Sequence, residues 1–325
     1  MATSGSFNYS LTAAGLIAAS YEDLGVVAPG VTVPTPLSTL ALTRLNMLGK
    51  QLQGNSDMAP GLKIHTRQRI TLLLAKGQQT YTVGPASGDS RASTLMGRTT
   101  VATAYVSGTS LVVAANTDTT SYPGTTISMT SADFIGVQLD NGTIAYTTMN
   151  GTPGGTTVTL AGGLSSGAAV GNYVWWFTAR AQRFPLLEAA VLRDANFNDV
   201  PLQIYRQVQE YEYGVANKLA DGTPTAILVE PMYLNTRIIC NSQPTDVTKT
   251  IVMTVLYPAE DYDATTDDIA FPQEYLRFLS DELGFMLSRV VGRWTPQMEA
   301  NRKESAAWAR SLNPENSVAY FQSAS

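Results

Sequence analysis

The residue types that carry most enzyme chemistry are scarce in this sequence. Its 325 residues include one cysteine, Cys240, and one histidine, His65. A single cysteine cannot form an intrachain disulfide, and one histidine with one cysteine cannot supply the clustered ligands of a zinc site. Cys240 ends a β-prone apolar run, so we expect a buried, inert thiol. No nucleophile motif stands beside His65, and a Ser-His-Asp hydrolase is therefore not indicated; we expect a surface or packing residue.

The sequence also lacks the residue spacing that nucleotide-binding and calcium-binding motifs require. The sequence has no Gly-x-x-x-x-Gly-Lys-Ser/Thr loop and no Gly-x-Gly-x-x-Gly turn, so nothing indicates nucleotide binding. The acidic run 261–268 has Thr266 and Pro272 where a calcium loop needs glycine and glutamate. A solvated acidic loop, or one that repels DNA, is the better interpretation. Glycoside hydrolysis needs only two carboxylates and stays open as a minor alternative. We predict no cofactor, no metal and no catalytic residue.

One cluster near the C-terminus indicates binding. Arginine and tryptophan are common anchors of protein interfaces. The cluster comprises Arg289, Arg293, Trp294, Arg302, Lys303, Trp308 and Arg310. Nucleic acid could also attract these basic side chains, but Glu299, Glu304 and Glu315 lower the net positive charge of the segment. A protein partner is therefore favoured.

Helices are predicted at both ends of the chain. Apolar spacing indicates one after Ser10 that stops at Gly25, and a second over residues 37–52. A third helix begins near Pro272, carries a broad apolar stripe and ends at Gly292. A last helix from Thr295 to about Leu312 has so thin an apolar face that it suits a partner rather than its own core.

The middle of the chain is predicted to be β-rich. Residues 66–74 and 80–83 are expected to form a hairpin, and residues 205–220 a helix. Between residues 99 and 178 the only charges are three aspartates, and alternating apolar positions indicate a separately folded all-β insert, a sandwich or barrel. Five further β-prone runs follow, at 186–192, 200–204, 226–229, 236–240 and 250–256.

The predicted fold class is therefore α+β, with an N-terminal helical bundle, a mixed sheet, C-terminal helices and the all-β insert. The predicted divisions are 1–98 (helices and first hairpin), 99–178 (insert), 179–292 (sheet and late helix) and 293–325 (C-terminal segment). The net charge of −5 argues against a protein that coats nucleic acid by charge alone. No apolar run is long enough for a membrane span, and no secretory start is expected, so the chain is interpreted as soluble.

Several short segments, in this order, resemble the head-to-tail adaptor proteins of short-tailed bacteriophages, also called tail accessory factors or packaged-DNA stabilisation proteins. They are residues 24–30 (LGVVAPG) before the helix 37–52, 77–84 (GQQTYTVG), 211–213 (YEY) with Asn217 and Lys218, 222–225 (GTPT), and 269–275 (IAFPQEY). Together they span most of the chain outside the insert.

The resemblance implies a ring, commonly of twelve copies, bound beneath the portal protein of a virion assembled in the bacterial cytoplasm. Such a ring extends the DNA channel, helps to retain the genome near which it lies, and carries the next tail component, a nozzle, hub or fibre. The implied portal-binding candidates are Arg293, Trp294, Arg302, Trp308, Leu312, Tyr320 and Phe321. Tyr275, Phe278 and Phe285 are candidates for the contact between subunits, since a ring needs a head-to-tail interface; burial of the same apolar surface inside its own subunit is the alternative.

Two other function classes stay open. A fibre-attachment or tail-tube protein elsewhere in the virion would share the β-rich insert without binding a portal. A tail enzyme that degrades peptidoglycan would lose its activity when one aspartate or glutamate is replaced.

Overall fold

The computed structural model describes residues 9–52, 55–56, 59–60, 66–85, 90–257, 260–269 and 271–311. Within them the chain is a mixed α+β protein with five α-helices and strands in several sheets. It divides into two compact units. Residues 1–66 and 258–325 form a helical unit, and residues 67–257 form a β-rich unit.

The α-helices are α1 (Ala13–Asp23), α2 (Thr35–Leu52), α3 (Val208–Gly214), α4 (Leu276–Val291) and α5 (Pro296–Ser311), with a 3-10 turn (Gln273–Tyr275) before α4. The first twelve strands are β1 (Asn55–Ser56), β2 (Ala59–Pro60), β3 (Thr66–Leu73), β4 (Thr80–Val83), β5 (Ala92–Ser93), β6 (Gly97–Thr103), β7 (Ser110–Val113), β8 (Thr117–Asp118), β9 (Ile127–Ser128), β10 (Phe134–Gln138), β11 (Ile144–Thr148) and β12 (Thr157–Thr159). The others are β13 (Tyr173–Phe177), β14 (Leu186–Arg193), β15 (Asp199–Pro201), β16 (Gln203–Tyr205), β17 (Asp221–Gly222), β18 (Ala226–Pro231), β19 (Thr236–Cys240), β20 (Gln243–Pro244) and β21 (Thr250–Tyr257).

The helical unit is built around α4, which packs against α1, α2 and α5. Helix α1 begins at Thr12, whose Oγ1 accepts a hydrogen bond from the backbone N–H of Gly15 at 3.2 Å. Its buried face includes Leu16, Ile17 and Tyr21, and the same core contains side chains of α2 and α4. The four helices predicted for the two ends of the chain are confirmed.

The β-rich unit contains two sheets that share one core. The first has five strands in the order β15-β14-β21-β3-β5, and the second has four in the order β16-β18-β19-β4. The shared core contains Ile70 and Met253 from the first sheet with Ile227 and Ile238 from the second. Cys240 lies in this core, where burial raises the pKa of its thiol to about 12. The cysteine is therefore the inert, buried residue that its sequence context predicted.

The predicted first hairpin is wrong. Strands β3 and β4 form where expected, but β3 belongs to the five-stranded sheet and β4 pairs with β19 in the four-stranded sheet. The connection is held by Tyr81, whose hydroxyl donates to the carbonyl of Gln78 at 2.7 Å and accepts from the N–H of Ala75 at 3.1 Å. The chain thus crosses between sheets instead of folding back within one. The predicted helix 205–220 is also too long, since only α3 forms there.

Six of the strands between residues 97 and 177 make an antiparallel sheet in the order β11-β10-β13-β6-β7-β12, and β8 pairs separately with β9. Its edge strands meet through a bridge between Met149 and Leu160, so the sheet closes on itself around its own core. The alternating apolar positions that predict an all-β insert fall in strands such as β10, β11 and β13, so the β-rich character of this segment is confirmed. A smaller core around Leu73 and Trp175 joins this sheet to its neighbours. That core explains why 67–257 forms one compact unit, although composition predicted divisions at 98–99 and 178–179.

Candidate partner-binding surface

The turn between α4 and α5 sets the geometry of the candidate site. Gly292 has φ +69°, which ends α4 in a left-handed conformation, and its N–H donates to the carbonyl of Ser288. The Arg293 side chain then donates from Nη1 to the carbonyl of Gly25 at 2.9 Å. Pro296 opens α5, and Thr295 accepts from the N–H of Met298 through its carbonyl at 3.1 Å. Because the link is so short, α5 folds back along α4.

Helix α5 contributes little to the core of the helical unit. Only Ser305 and Ala309 are buried among its residues, with Met298 and Ala306 partly buried against the core. Its remaining side chains are mostly charged or polar and face outward. Helix α5 therefore has the thin apolar face that the sequence predicts.

One cluster of side chains joins α5 to α4. Nη1 of Arg302 lies 3.3 Å from each carboxylate oxygen of Glu282. The same guanidinium lies 4.5 Å from the ring centroid of Phe285, and the Arg289 guanidinium lies 4.9 Å from it. Both distances suit cation–π contacts. Arg302 is thus committed to holding the two helices together, and part of its charge is already matched.

Burial raises the pKa of Glu282 above its ordinary value, and the neighbouring Arg302 offsets only part of that rise. The side chain of Glu282 is 13% exposed, whereas that of Arg302 is 33% exposed. The cluster therefore has an acid that holds its proton to a higher pH than a surface glutamate does.

An open groove of about 610 Å³ lies beside this cluster. Apolar side chains and both signs of charge line it, and Trp294, 48% exposed, forms part of its wall. A second depression, of about 120 Å³, lies between α4 and α5 and is lined by Arg277, Glu304, Ser305 and Trp308. Trp308 is 45% exposed. Tryptophan is a common anchor residue in protein interfaces, and here two half-exposed tryptophans lie beside concave surfaces.

The portal-binding candidates fall into three groups. Trp294 and Trp308 are exposed at the groove and the depression, while Arg293 and Arg302 are tied to their own unit by the contacts described above. Leu312, Tyr320 and Phe321 lie outside the described residues, as does His65. The tryptophans are therefore the freest of the described candidates.

The candidates for a contact between subunits are corrected by the structure. Tyr275, Phe278 and Phe285 are 7%, 3% and 8% exposed. Tyr275 and Phe278 belong to the core of the helical unit, and Phe285 is covered by two guanidinium groups. The apolar stripe of α4 is thus mostly buried by its own chain, and these three aromatic rings present little surface to a neighbour, although Phe285 also lines the open groove.

An exposed apolar turn escaped the sequence analysis. Met232, Tyr233 and Leu234 lie between β18 and β19 and are 48%, 91% and 57% exposed. The signal was present, since three apolar residues replace the polar or glycine residues that most hairpin turns carry. The flanking apolar runs predict strands, but they carry no information about the exposure of the turn between them.

The acidic run 261–268 is a structured loop in the helical unit. Asp261 forms an ion pair with Lys50 at 2.8 Å, and a carboxylate oxygen of Asp267 accepts from the N–H groups of Asp263 and Ala264. Across the described ranges, no group of three or more His, Cys, Asp or Glu residues could hold a metal ion.

Comparison with protein-family models found no match, and comparison with curated proteins found none either. None of the helices in the described ranges is both long and apolar enough to cross a membrane.

Proposed function

We propose that this chain is a head-to-tail connector of a short-tailed bacteriophage. Twelve copies form a ring beneath the portal protein, extend the DNA channel, help to retain the packaged genome and carry the next tail component. The role is structural and requires no catalysis or cofactor. The resemblance in the order of short sequence segments supports it: 24–30 follows α1, 77–84 contains β4, 211–213 lies in α3, and 269–275 leads into α4.

The observation that carries the proposal is helix α5. A helix of 16 residues that buries only two of them costs conformational entropy without adding much core. Such a helix is explained if a second protein completes its burial. The portal protein is the partner we assign, with Trp294 and Trp308 as the anchors that enter it.

The charge of the chain suits a channel wall. A subunit with net charge −5 does not grip the phosphate backbone by counterion release, so DNA can slide past a ring of such subunits. Proximity to DNA would then be non-specific.

Within this proposal the closed sheet from residue 97 to 177 is a domain inserted into the connector fold and directed at the tail. All three of its aspartates serve the fold. Asp118 accepts from the N–H of Thr120 at 2.7 Å, Asp133 from that of Thr130 at 2.7 Å, and Asp140 from that of Ala169 at 2.7 Å. Asp118 and Asp133 are buried and Asp140 is exposed, so the outer surface of this sheet carries little charge. That surface also favours the second candidate function, a fibre-attachment or tail-tube protein elsewhere in the particle.

The test is the native mass of the purified chain, alone and after mixing with the portal protein encoded by the same phage. The connector proposal predicts a complex with one copy of this chain per portal subunit. No association at any salt concentration would contradict it and favour the second candidate. Peptidoglycan degradation that disappears when one aspartate or glutamate is replaced would instead identify a tail enzyme.

A further inference from the structure

The apolar turn of the β18–β19 hairpin is an exposed surface with a fixed shape. The loop has four residues, 232–235, because Pro231 and Thr236 are the last paired positions. Met232, Tyr233 and Leu234 follow one another at its end, and Tyr233 is 91% exposed. We call these three residues the tip. Single exposed apolar residues are ordinary, but three in succession at the end of a hairpin form a patch.

The backbone that carries the tip is held from several sides. Nε of Arg183 donates to the carbonyl of Met232 at 2.5 Å. Thr236 Oγ1 donates to the carbonyl of Phe184 at 2.6 Å and accepts from its N–H at 3.2 Å. Gly84, with φ +152°, leaves room for Asn235, which a Cβ there would overlap. A tip fixed in this way loses little conformational entropy on binding.

A second exposed apolar patch lies in the same unit. Tyr213 on α3 is 89% exposed, and Leu219 in the following loop is 73% exposed. Lys218 and Glu212, their immediate neighbours, form an ion pair of 2.6 Å that holds the loop against the helix. Beneath them Tyr211 is buried and donates from its hydroxyl to the carbonyl of Cys240 at 2.9 Å. We call Tyr213 and Leu219 the α3 patch.

The tip and Leu219 lie at opposite ends of the same strand pair. The tip follows the pairing of Pro231 with Thr236, whereas Ile227 pairs with Cys240 at the other end. Beyond that end the N–H of Gln243 donates to the carbonyl of Ala220, the residue after Leu219, at 2.8 Å. Two different patches at opposite ends of one sheet are what head-to-tail association of identical chains requires.

The net charge around the tip is opposite in sign to the net charge around the α3 patch. Two arginines, Arg183 and Arg237, and one glutamate, Glu230, surround the tip. The segment 206–221 around the α3 patch carries three acidic and two basic residues. Because these net charges are opposite, contact between the tip of one copy and the α3 patch of another is favoured over contact between two tips.

The small area of the tip favours another subunit of the same ring over an independent protein as its partner. Three side chains bury far less than the roughly 1,200–2,000 Å² of a stable pairwise interface. The tip alone could not hold an independent protein, but a contact repeated by every subunit of a closed ring is reinforced by all the others.

We propose that the tip of one copy packs on the α3 patch of the next copy, so that the occupant of each patch is a second copy of this chain. This inference rests on the proposed ring. It replaces the buried aromatic residues of α4 as the contact between subunits.

Cysteine cross-linking tests the contact. Leu234→Cys and Leu219→Cys are combined in the full chain and treated with a short bis-maleimide, alone and in the presence of the portal protein. Cys240 is fully buried and does not contribute. We expect a ladder of species larger than dimers from the double variant and roughly tenfold less product from either single variant. As much dimer from Leu234→Cys alone as product from the double variant, or no ladder under either condition, would overturn the contact.

A second variant separates the contact from the fold. Tyr233→Ser should raise the concentration needed for self-association, measured by sedimentation, by roughly tenfold or more. Val106→Ser is the matched control, because Val106 is 82% exposed elsewhere in the same unit and should leave association unchanged. Equal effects of both substitutions, or flotation on lipid vesicles that Tyr233→Ser abolishes, would overturn the proposal.

The two proposals fail in different ways. A complex with the portal in which the double variant gives no ladder leaves the connector standing and removes this contact. A ladder from a chain that never associates with the portal supports the contact and contradicts the connector.

Discussion

Helices α4 and α5 are neighbours in the chain and have 16 residues each, but the unit uses them differently. Helix α4 buries eight residues against α1, α2 and α5, whereas α5 buries two. Most helical stability in proteins comes from packing of an apolar face. The stability of the helical unit therefore depends on α4, while α5 contributes surface, and the difference separates what folds this unit from what it offers to a partner.

The largest effect is expected from a cavity in α4. Leu283 is fully buried, and Leu283→Ala should lower the free energy of unfolding by about 3 kcal/mol through lost burial and an unfilled cavity. Chemical denaturation followed by circular dichroism measures the effect. Glu304→Ala, at an exposed position of α5, is the control and should change stability by less than about 0.5 kcal/mol. Equal losses would show that the two helices do not differ as described.

A smaller effect is expected from overpacking the one place where α5 is tightly seated. Ala309 is fully buried, and Ala309→Leu should cost about 2 kcal/mol because the added side chain has no space. Hydrogen exchange by mass spectrometry should show faster exchange in Pro296–Ser311 and unchanged exchange in Leu276–Val291. Loss of protection in both helices would mean that α4 depends on α5.

The pair that joins the helices predicts a pH dependence. The pKa of Glu282 is raised from 4.5 in the folded chain, chiefly by burial, so the folded state binds more protons than the unfolded state as pH rises past 4.5. This group therefore makes stability fall as pH increases through that window. Denaturation at a series of pH values should show a shallower fall in Glu282→Gln than in the natural chain, because Asp23, whose pKa is also raised, chiefly by burial, keeps its own contribution. The same slope in both chains would assign the effect to another group.

The sequence was sufficient for the elements whose own residues determine them. The spacing of apolar residues predicts α4 and α5, with Pro272, Gly292 and Thr295 near their ends, and the few apolar residues of α5 predict its narrow buried face. Alternation of apolar positions likewise placed the hairpin of β10 and β11.

What the sequence missed depends on distant partners. The residues of β3 and β4 favour strands but do not encode which strand each will pair with, and the two enter different sheets. The aromatic stripe of α4 is equally apolar whether a neighbouring subunit or the chain's own helices cover it. Tyr233 is the opposite case: an aromatic side chain is commonly buried, and only the folded structure shows that this one is exposed.

Two measurements on Trp308→Ala test whether α5 serves a partner or the core of the helical unit. Trp308 is half-exposed beside the depression between α4 and α5, so its removal should change the free energy of unfolding by less than about 1 kcal/mol. The same substitution should weaken attachment to the portal protein by roughly tenfold or more, since an interface anchor is lost. Unchanged attachment, or a chain that no longer folds, would contradict the claim that α5 serves a partner rather than the core.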